Sequence, residues 1–159
     1  MESPIDLANY LSLDRTVCGL ETTSRKRLFE QLARLLAVGL VAQDEKHIFR
    51  TLVDREKLGS TGVGDGIAIP HGRIEGLPEP RIAVVQLAEP VEYGARDKKP
   101  INLALALLVP EDATEAHLQL LSMLAQRVSD HDIRHKLDAA DTAQQLIGSL
   151  VGPAFTRVM

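Results

Sequence analysis

Five histidines are the side chains of this chain best suited to reversible chemistry at neutral pH, and His71 sits in a setting unlike the other four. It closes the run GSTGVGDGIAIPHG, residues 59–72, which carries four glycines in its first eight residues. Such a run cannot hold a helix. Its bare backbone lets N–H groups come close to an anion, with Gly62 and Gly64 opening the approach and Ser60 and Thr61 adding hydroxyl donors. Ile67 to His71 reads as a short strand. Pro70 keeps Ile69 extended and Gly72 lets the chain turn away. A residue ending a strand of an α/β sheet is well placed for function. From this local pattern alone, a structural role for His71 is as admissible as a functional one.

The other candidates carry less. A nucleotide-binding loop of the Walker type needs Gly-Lys-Ser/Thr opening a helix, whereas here no Lys follows the glycines and the loop enters a strand. The GxGxxG dinucleotide spacing is absent, because Gly62, Gly64 and Gly66 alternate. His131 and His135 have the i, i+4 spacing of two metal ligands, but no third ligand accompanies them, so they read as exposed surface residues. His47 reads as structural, beside an apolar helical stripe. Taken singly, Arg55 reads as a surface ion-pair partner of Glu56, and His117 as a residue at the edge of an apolar stripe. Cys18 is the single cysteine, set among apolar residues, and reads as a buried structural thiol in a reducing compartment. Arg25, Lys26 and Arg27 read as a solvated first helical turn.

Positioning a loop and an imidazole requires a framework, and 159 residues with 45% apolar content can build one domain with a sizeable core. Aromatics make up 3% and the net charge is −4, which argues against base-stacking modules and a duplex-binding field. Leu28, Leu32, Leu35, Leu36 and Leu40 predict a helix over Ser24 to Leu40. Ile48, Phe49, Leu52 and Val53 predict a second from Asp44 to Leu58, with Asp44 as N-cap. Arg81 to Ala88 and Ile101 to Val109 are strands apolar on both faces, so the sheet should be covered on both sides. In the latter, Ile101, Leu103, Leu105, Leu107 and Val109 should share one face. The small residues Ala104 and Ala106 on the other should admit a closely packed helix. The last third is helical, with cap spacings at Asp112/Glu115 and Asp141/Gln144. The fold expected is α/β, a single domain over 1–159 (core about 5–152), with a mixed sheet sandwiched between helical layers. Met1 to Tyr10 lacks the pattern of a secretory leader, and no apolar run is long enough to span a bilayer.

The segment REKLGSTGVGDGIAIPHGR, from Arg55 to Arg73, resembles the enzyme IIA family of the phosphotransferase system, of the mannitol/fructose type and most like its nitrogen-regulatory branch. The likeness continues through PINLALALLVP and AHLQLLSMLAQRVSD and so covers nearly the whole chain. It implies that His71 is phosphorylated by a small histidine phosphocarrier protein, with Arg55 and His117 beside the acceptor and Ser60, Thr61, Gly62 and Gly64 supporting the phosphate. Where the family usually has Ile and Asn, this chain has Val63 and Asp65, and Asp65 either points away from the site or disfavours the phosphorylated form.

The resemblance also implies a carrier whose phosphorylation state regulates targets such as sensor kinases or potassium transport components, and the lone cysteine with no leader or spanning run makes a cytoplasmic location the expectation. Neither nucleic acid nor membrane insertion is expected. No cofactor or metal is expected, since the energy arrives in the donor's P–N bond. These residues include no permease or cysteine-bearing IIB segment, so regulation is expected over transport. Two alternatives stand beside this reading: a sugar-specific IIA that passes phosphate to a IIB partner, and a protein-binding regulator in which His71 is vestigial.

Overall fold

Two side-chain caps start the helices that the leucine and isoleucine stripes predict. Ser24 Oγ accepts the Arg27 N–H at 3.1 Å and opens α1 (Arg25–Leu36). Asp44 Oδ1 accepts the His47 N–H at 2.8 Å and opens α2 (Glu45–Lys57). α1 stops short of Leu40, and the chain turns through Gly39 at φ +78°. The computed structural model from which these elements are taken describes residues 6–41 and 43–157, with the backbone alone over 152–157. The first five residues of the segment read as lacking a leader thus lie outside the described ones.

Six strands form one mixed sheet: β1 (Thr16–Leu20), β2 (Gly62–Gly64), β3 (Ile67–Ala68), β4 (His71–Ile74), β5 (Arg81–Val91) and β6 (Ile101–Pro110). Their order is β1-β5-β6-β3-β2, with β4 also on β6. β5 and β6 are antiparallel, while β1 runs parallel to β5 and both β3 and β4 run parallel to β6. The remaining helices are α3 (Thr114–Ser129), α4 (His131–Ala139) and α5 (Ala143–Arg157). Among the described residues no helix is long and apolar enough to cross a membrane.

The two faces of the sheet bury two separate clusters. Ala83, Val85, Ala104, Ala106 and Leu108 meet Leu28, Leu32, Leu36, Ile48 and Leu52 of α1 and α2. Ile82, Val84, Leu103, Leu105, Leu107 and Val109 meet Leu120, Leu124, Leu137, Leu146 and Leu150 of α3, α4 and α5. Each fully buried Leu or Ile contributes about 1.5–3 kcal/mol. The alanine face lies under helices, as its small side chains predict. Ile101 departs from the expected alternation and joins the α1/α2 cluster, because the β5–β6 register shifts between Gln86 and Val91.

Several local expectations change. The strand expected at Ile67 to His71 is two strands in one register: Ala68 pairs with Ala104 and His71 with Leu107. The ladder is interrupted at Ile69 and Pro70, because Pro70 has no N–H and the Ile69 N–H turns to the Thr61 carbonyl at 2.9 Å. His71 therefore opens a strand instead of ending one. Gly72 stays in that strand and does not turn the chain away. At the C-terminal helices, Asp112 does not cap α3, whose N-cap position is Ala113. The cap of α5 is shifted by one residue: Thr142 Oγ1 accepts the Gln145 N–H at 3.1 Å, and Gln145 Oε1 accepts the Asp141 N–H.

Candidate functional site

His71 stands on β4 at the edge of the sheet, where α2 approaches from one face and α3 from the other. The approach of α2 is tight because position 72 has no side chain. A Cβ there would lie 2.7 Å from Thr51 Cγ2. Arg55 is one helical turn beyond Thr51 on the same side of α2. The close contact at Gly72 therefore brings Arg55 to the imidazole.

Both ring nitrogens of His71 are engaged. Nδ1 lies 2.8 Å from the Ile69 carbonyl oxygen. A carbonyl can only accept, so Nδ1 carries the proton and Nε2 carries the lone pair. Arg55 Nε donates to that Nε2 at 3.2 Å, and Arg55 Nη1 donates to the Gly59 carbonyl at 3.0 Å. His117, in the first turns of α3, sets its ring edge-on to His71 with centroids 5.1 Å apart. Its Nε2 is buried and has no hydrogen-bond partner among the described residues. Arg73 lies two residues along β4 and thus on the same strand face as His71, and it donates to Thr114 Oγ1 at 3.1 Å.

The electrostatics keep both rings neutral at pH 7. Burial pushes the His71 pKa down, and the cation of Arg55 pushes the same way. The Ile69 hydrogen bond and the Glu56 carboxylate oppose them. Burial, followed by the charge His71 carries when protonated and by those of Arg73 and Arg55, pushes His117 down to about 4. A neutral, largely desolvated imidazole whose Nε2 lone pair faces the Arg55 guanidinium can attack an electrophile that bears negative charge once Arg55 moves onto that charge.

The sequence-derived supporting loop is only partly available to an anion. The Thr61 N–H and hydroxyl are both spent on the Glu56 carboxylate, and Thr61 is buried. Ser60 Oγ accepts the Gly62 N–H at 3.1 Å, which occupies the Gly62 donor but leaves the Ser60 hydroxyl proton free to donate. Gly62 is held close under Ala95, where a Cβ would meet the Ala95 Cβ at 2.6 Å. Gly64 lies in β2 with φ +99°. Asp65 directs its exposed carboxylate at Lys99, with Nζ at 3.8 Å.

The remaining candidates fall outside the site. His47, His131 and His135 are exposed, His47 beside the apolar stripe of α2. Among the described residues no cluster of three or more His, Cys, Asp or Glu could hold a metal. Cys18 is half-buried, its thiol 3.1 Å from Gln86 Oε1 and 3.2 Å from the Ala140 carbonyl, and burial raises its pKa. Arg25 is less idle than a solvated turn implies, since it donates to the Tyr93 carbonyl at 2.7 Å. The expected Arg55–Glu56 ion pair is absent among the described residues. Glu56 turns instead to Thr61 and Tyr93, two partners that sequence spacing does not signal. Arg73 could have been found from its even spacing to His71 on a strand.

The chain matches the family described as "Phosphoenolpyruvate-dependent sugar phosphotransferase system, EIIA 2" over residues 9–150. It is 46% identical over 142 residues to a nitrogen regulatory protein of Pseudomonas aeruginosa, covering 89% of this chain and 92% of that one. The crystal structure of nitrogen regulatory protein IIA-Ntr from Neisseria meningitidis superposes with a TM-score of 0.85 at 41% identity, covering 91% of this chain and 98% of that one. An Escherichia coli mannitol enzyme IIA, in its complex with phosphorylated mannitol enzyme IIB, shares the fold with a TM-score of 0.74 at 19% identity, over 89% of this chain and 99% of that one.

Proposed function

The chain belongs to the EIIA 2 family of the phosphoenolpyruvate-dependent sugar phosphotransferase system, and we propose that it is a cytoplasmic phosphoryl carrier whose His71 accepts the group from a histidine phosphocarrier protein. The carrying observation is the assignment of the two ring nitrogens. Nδ1–H is held by the Ile69 carbonyl and Nε2 faces Arg55, so Nε2 is the nucleophile. In the transfer, the donor P–N bond breaks and its electron pair returns to the donor imidazole, which gives up its positive charge. The His71 lone pair forms the new P–N bond, the proton stays on Nδ1 and remains hydrogen-bonded to the Ile69 carbonyl, and the ring takes up the charge. The exchange of one P–N bond for another leaves the protein the tasks of alignment and charge stabilisation.

Arg55 has the geometry for that second task. Its guanidinium lies against Nε2 before transfer, and its fork can swing onto two phosphoryl oxygens as they arrive. His117 Nε2, buried and without a partner among the described residues, can donate to a third oxygen. Ser60 retains a hydroxyl proton that can do the same. Thr61, Gly62 and Gly64 then shape the loop from behind. The exposed aliphatics Leu58, Val63 and Leu118 stand next to these residues in the chain and suit a protein donor better than a small molecule.

The likeness to nitrogen regulatory proteins supports a regulatory output, with the phosphorylation state deciding which target protein is engaged. Target classes in this reading are sensor kinases and potassium transport components. The test is intact-mass analysis after incubation with the phosphocarrier and its upstream kinase. Wild type should gain one acid-labile phosphoryl group, and His71→Gln should gain none while unfolding like wild type. An unmodified wild type, or a modified His71→Gln, would refute the reading.

A further inference from the structure

Arg55 touches His71 directly, and the next residue along α2 reaches the same ring by a longer route. Glu56 is spent inside the protein: Oε2 accepts the Thr61 N–H at 3.0 Å, and Oε1 accepts the Thr61 hydroxyl and, at 3.1 Å, the Tyr93 hydroxyl. Thr61 is 5% exposed and Tyr93 1%. Their hydroxyl oxygens are 2.7 Å apart. A carboxylate that accepts three donors in this setting is held firmly, since hydrogen bonds to an ionised group are roughly twice as strong as neutral ones. Burial also raises the Tyr93 pKa, so its hydroxyl remains a donor.

What Glu56 holds is the strand break before His71. The Thr61 carbonyl accepts the Ile69 N–H at 2.9 Å, and the Ile69 carbonyl accepts His71 Nδ1–H at 2.8 Å. The links run from Glu56 through Thr61 and Ile69 to the imidazole. Each passes across a Cα, so the coupling is mechanical and not an electron relay. The Pro70 carbonyl is held by the Leu107 N–H of β6 at 2.9 Å, but the Ile69 N–H turns away from β6, and the Thr61 carbonyl fixes the Ile69 peptide instead. We propose that Glu56 and Thr61 are positioning residues for phosphoryl transfer, holding the Ile69 carbonyl against His71 Nδ1 and so keeping the ring in the tautomer whose Nε2 is the nucleophile. This inference rests on the reading of His71 as the phosphoryl acceptor.

A second consequence is electrostatic. The groups facing His71 are Arg55 and Glu56 from α2, Arg73 from β4 and His117 from α3. Three of these are cationic or can become so, and Glu56 is the anion. Before transfer, Glu56 is the charge that opposes burial and Arg55 in setting the protonation of the free ring.

The test uses the full chain with Glu56→Gln, Thr61→Val and Thr61→Ser. The imidazole 15N shifts of His71 are followed against pH without phosphorylation, and the transfer rate is then measured with the phosphocarrier. Glu56→Gln and Thr61→Val should both populate the second tautomer of His71. Glu56→Gln should also lower its titration midpoint. Transfer should slow by on the order of ten- to a hundredfold in each. Thr61→Ser keeps both donors and should match wild type. Should Glu56→Gln fail to fold cooperatively, the Thr61→Val and Thr61→Ser pair decides by the same signals. Folded Thr61→Val protein with the wild-type tautomer would overturn the inference. Tautomer changes as expected in a protein that accepts no phosphoryl group would overturn the carrier reading alone.

Discussion

Adding one methyl group at Gly72 tests whether helix–strand contact sets the geometry of His71. In Gly72→Ala the new Cβ would lie 2.7 Å from Thr51 Cγ2, about 0.7 Å short of ordinary contact. Neither atom is at the end of a flexible chain: Thr51 is β-branched, and its Oγ1 is tied to the His47 carbonyl at 2.9 Å. The strand and helix must therefore part. Overpacking of this kind costs about 1–3 kcal/mol. If the separation is shared by the residues one turn on, the 3.2 Å contact from Arg55 Nε to His71 Nε2 lengthens to about 3.9 Å, beyond a hydrogen bond. Displacements of about 1 Å cost on the order of a hundredfold in rate, so transfer should slow by about tenfold or more. Denaturant unfolding reads the first effect, and single-turnover transfer from the phosphocarrier reads the second. Thr51→Ser removes Cγ2 and keeps the hydroxyl, so the double variant should regain most of both losses. A Gly72→Ala protein with wild-type midpoint and rate, or a penalty that Thr51→Ser leaves untouched, refutes the argument.

Two further outcomes follow from the site. Arg55→Lys keeps the charge but loses the planar fork and should slow transfer by on the order of a hundredfold in single-turnover measurements, with little change in unfolding. His117 is pushed below its ordinary pKa of 6.5 to about 4, so on acidification the unfolded chain takes up this proton before the folded one does. The stability that a neutral His117 supplies is full above pH 6.5 and is lost as pH falls toward 4. His117→Gln should therefore flatten the unfolding midpoint across that window, and an unchanged slope would show that the His117 ring is not desolvated as described.

The sequence made the helices and layers legible because their signals are local and repeated. Ser24 and Asp44 stand before long apolar stripes, and a strand with Ala104 and Ala106 on one side asks for a close helix. It also drew attention to His71, since a glycine-rich run leading into Ile-Pro-His-Gly narrows what the backbone can do. What it misplaced were features fixed by partners distant in the chain. Gly72 looks like a turn glycine until Thr51, some twenty residues earlier, is seen against it. Ile101 changes face because of a register shift opposite Gln86 and Val91. Thr61 reads as a phosphate donor from its hydroxyl alone, yet Glu56 claims both of its donors. Glu56 itself reads as a partner of Arg55, because adjacency in sequence hides that neighbouring helical residues point about 100° apart. That divergence lets two successive residues of α2 act on opposite nitrogens of one imidazole. Arg55 reaches Nε2 directly, and Glu56 reaches Nδ1 through Thr61 and Ile69. The tautomer of His71 and the cation at its lone pair are thus set by a single helical turn, whose distance from the strand Gly72 controls.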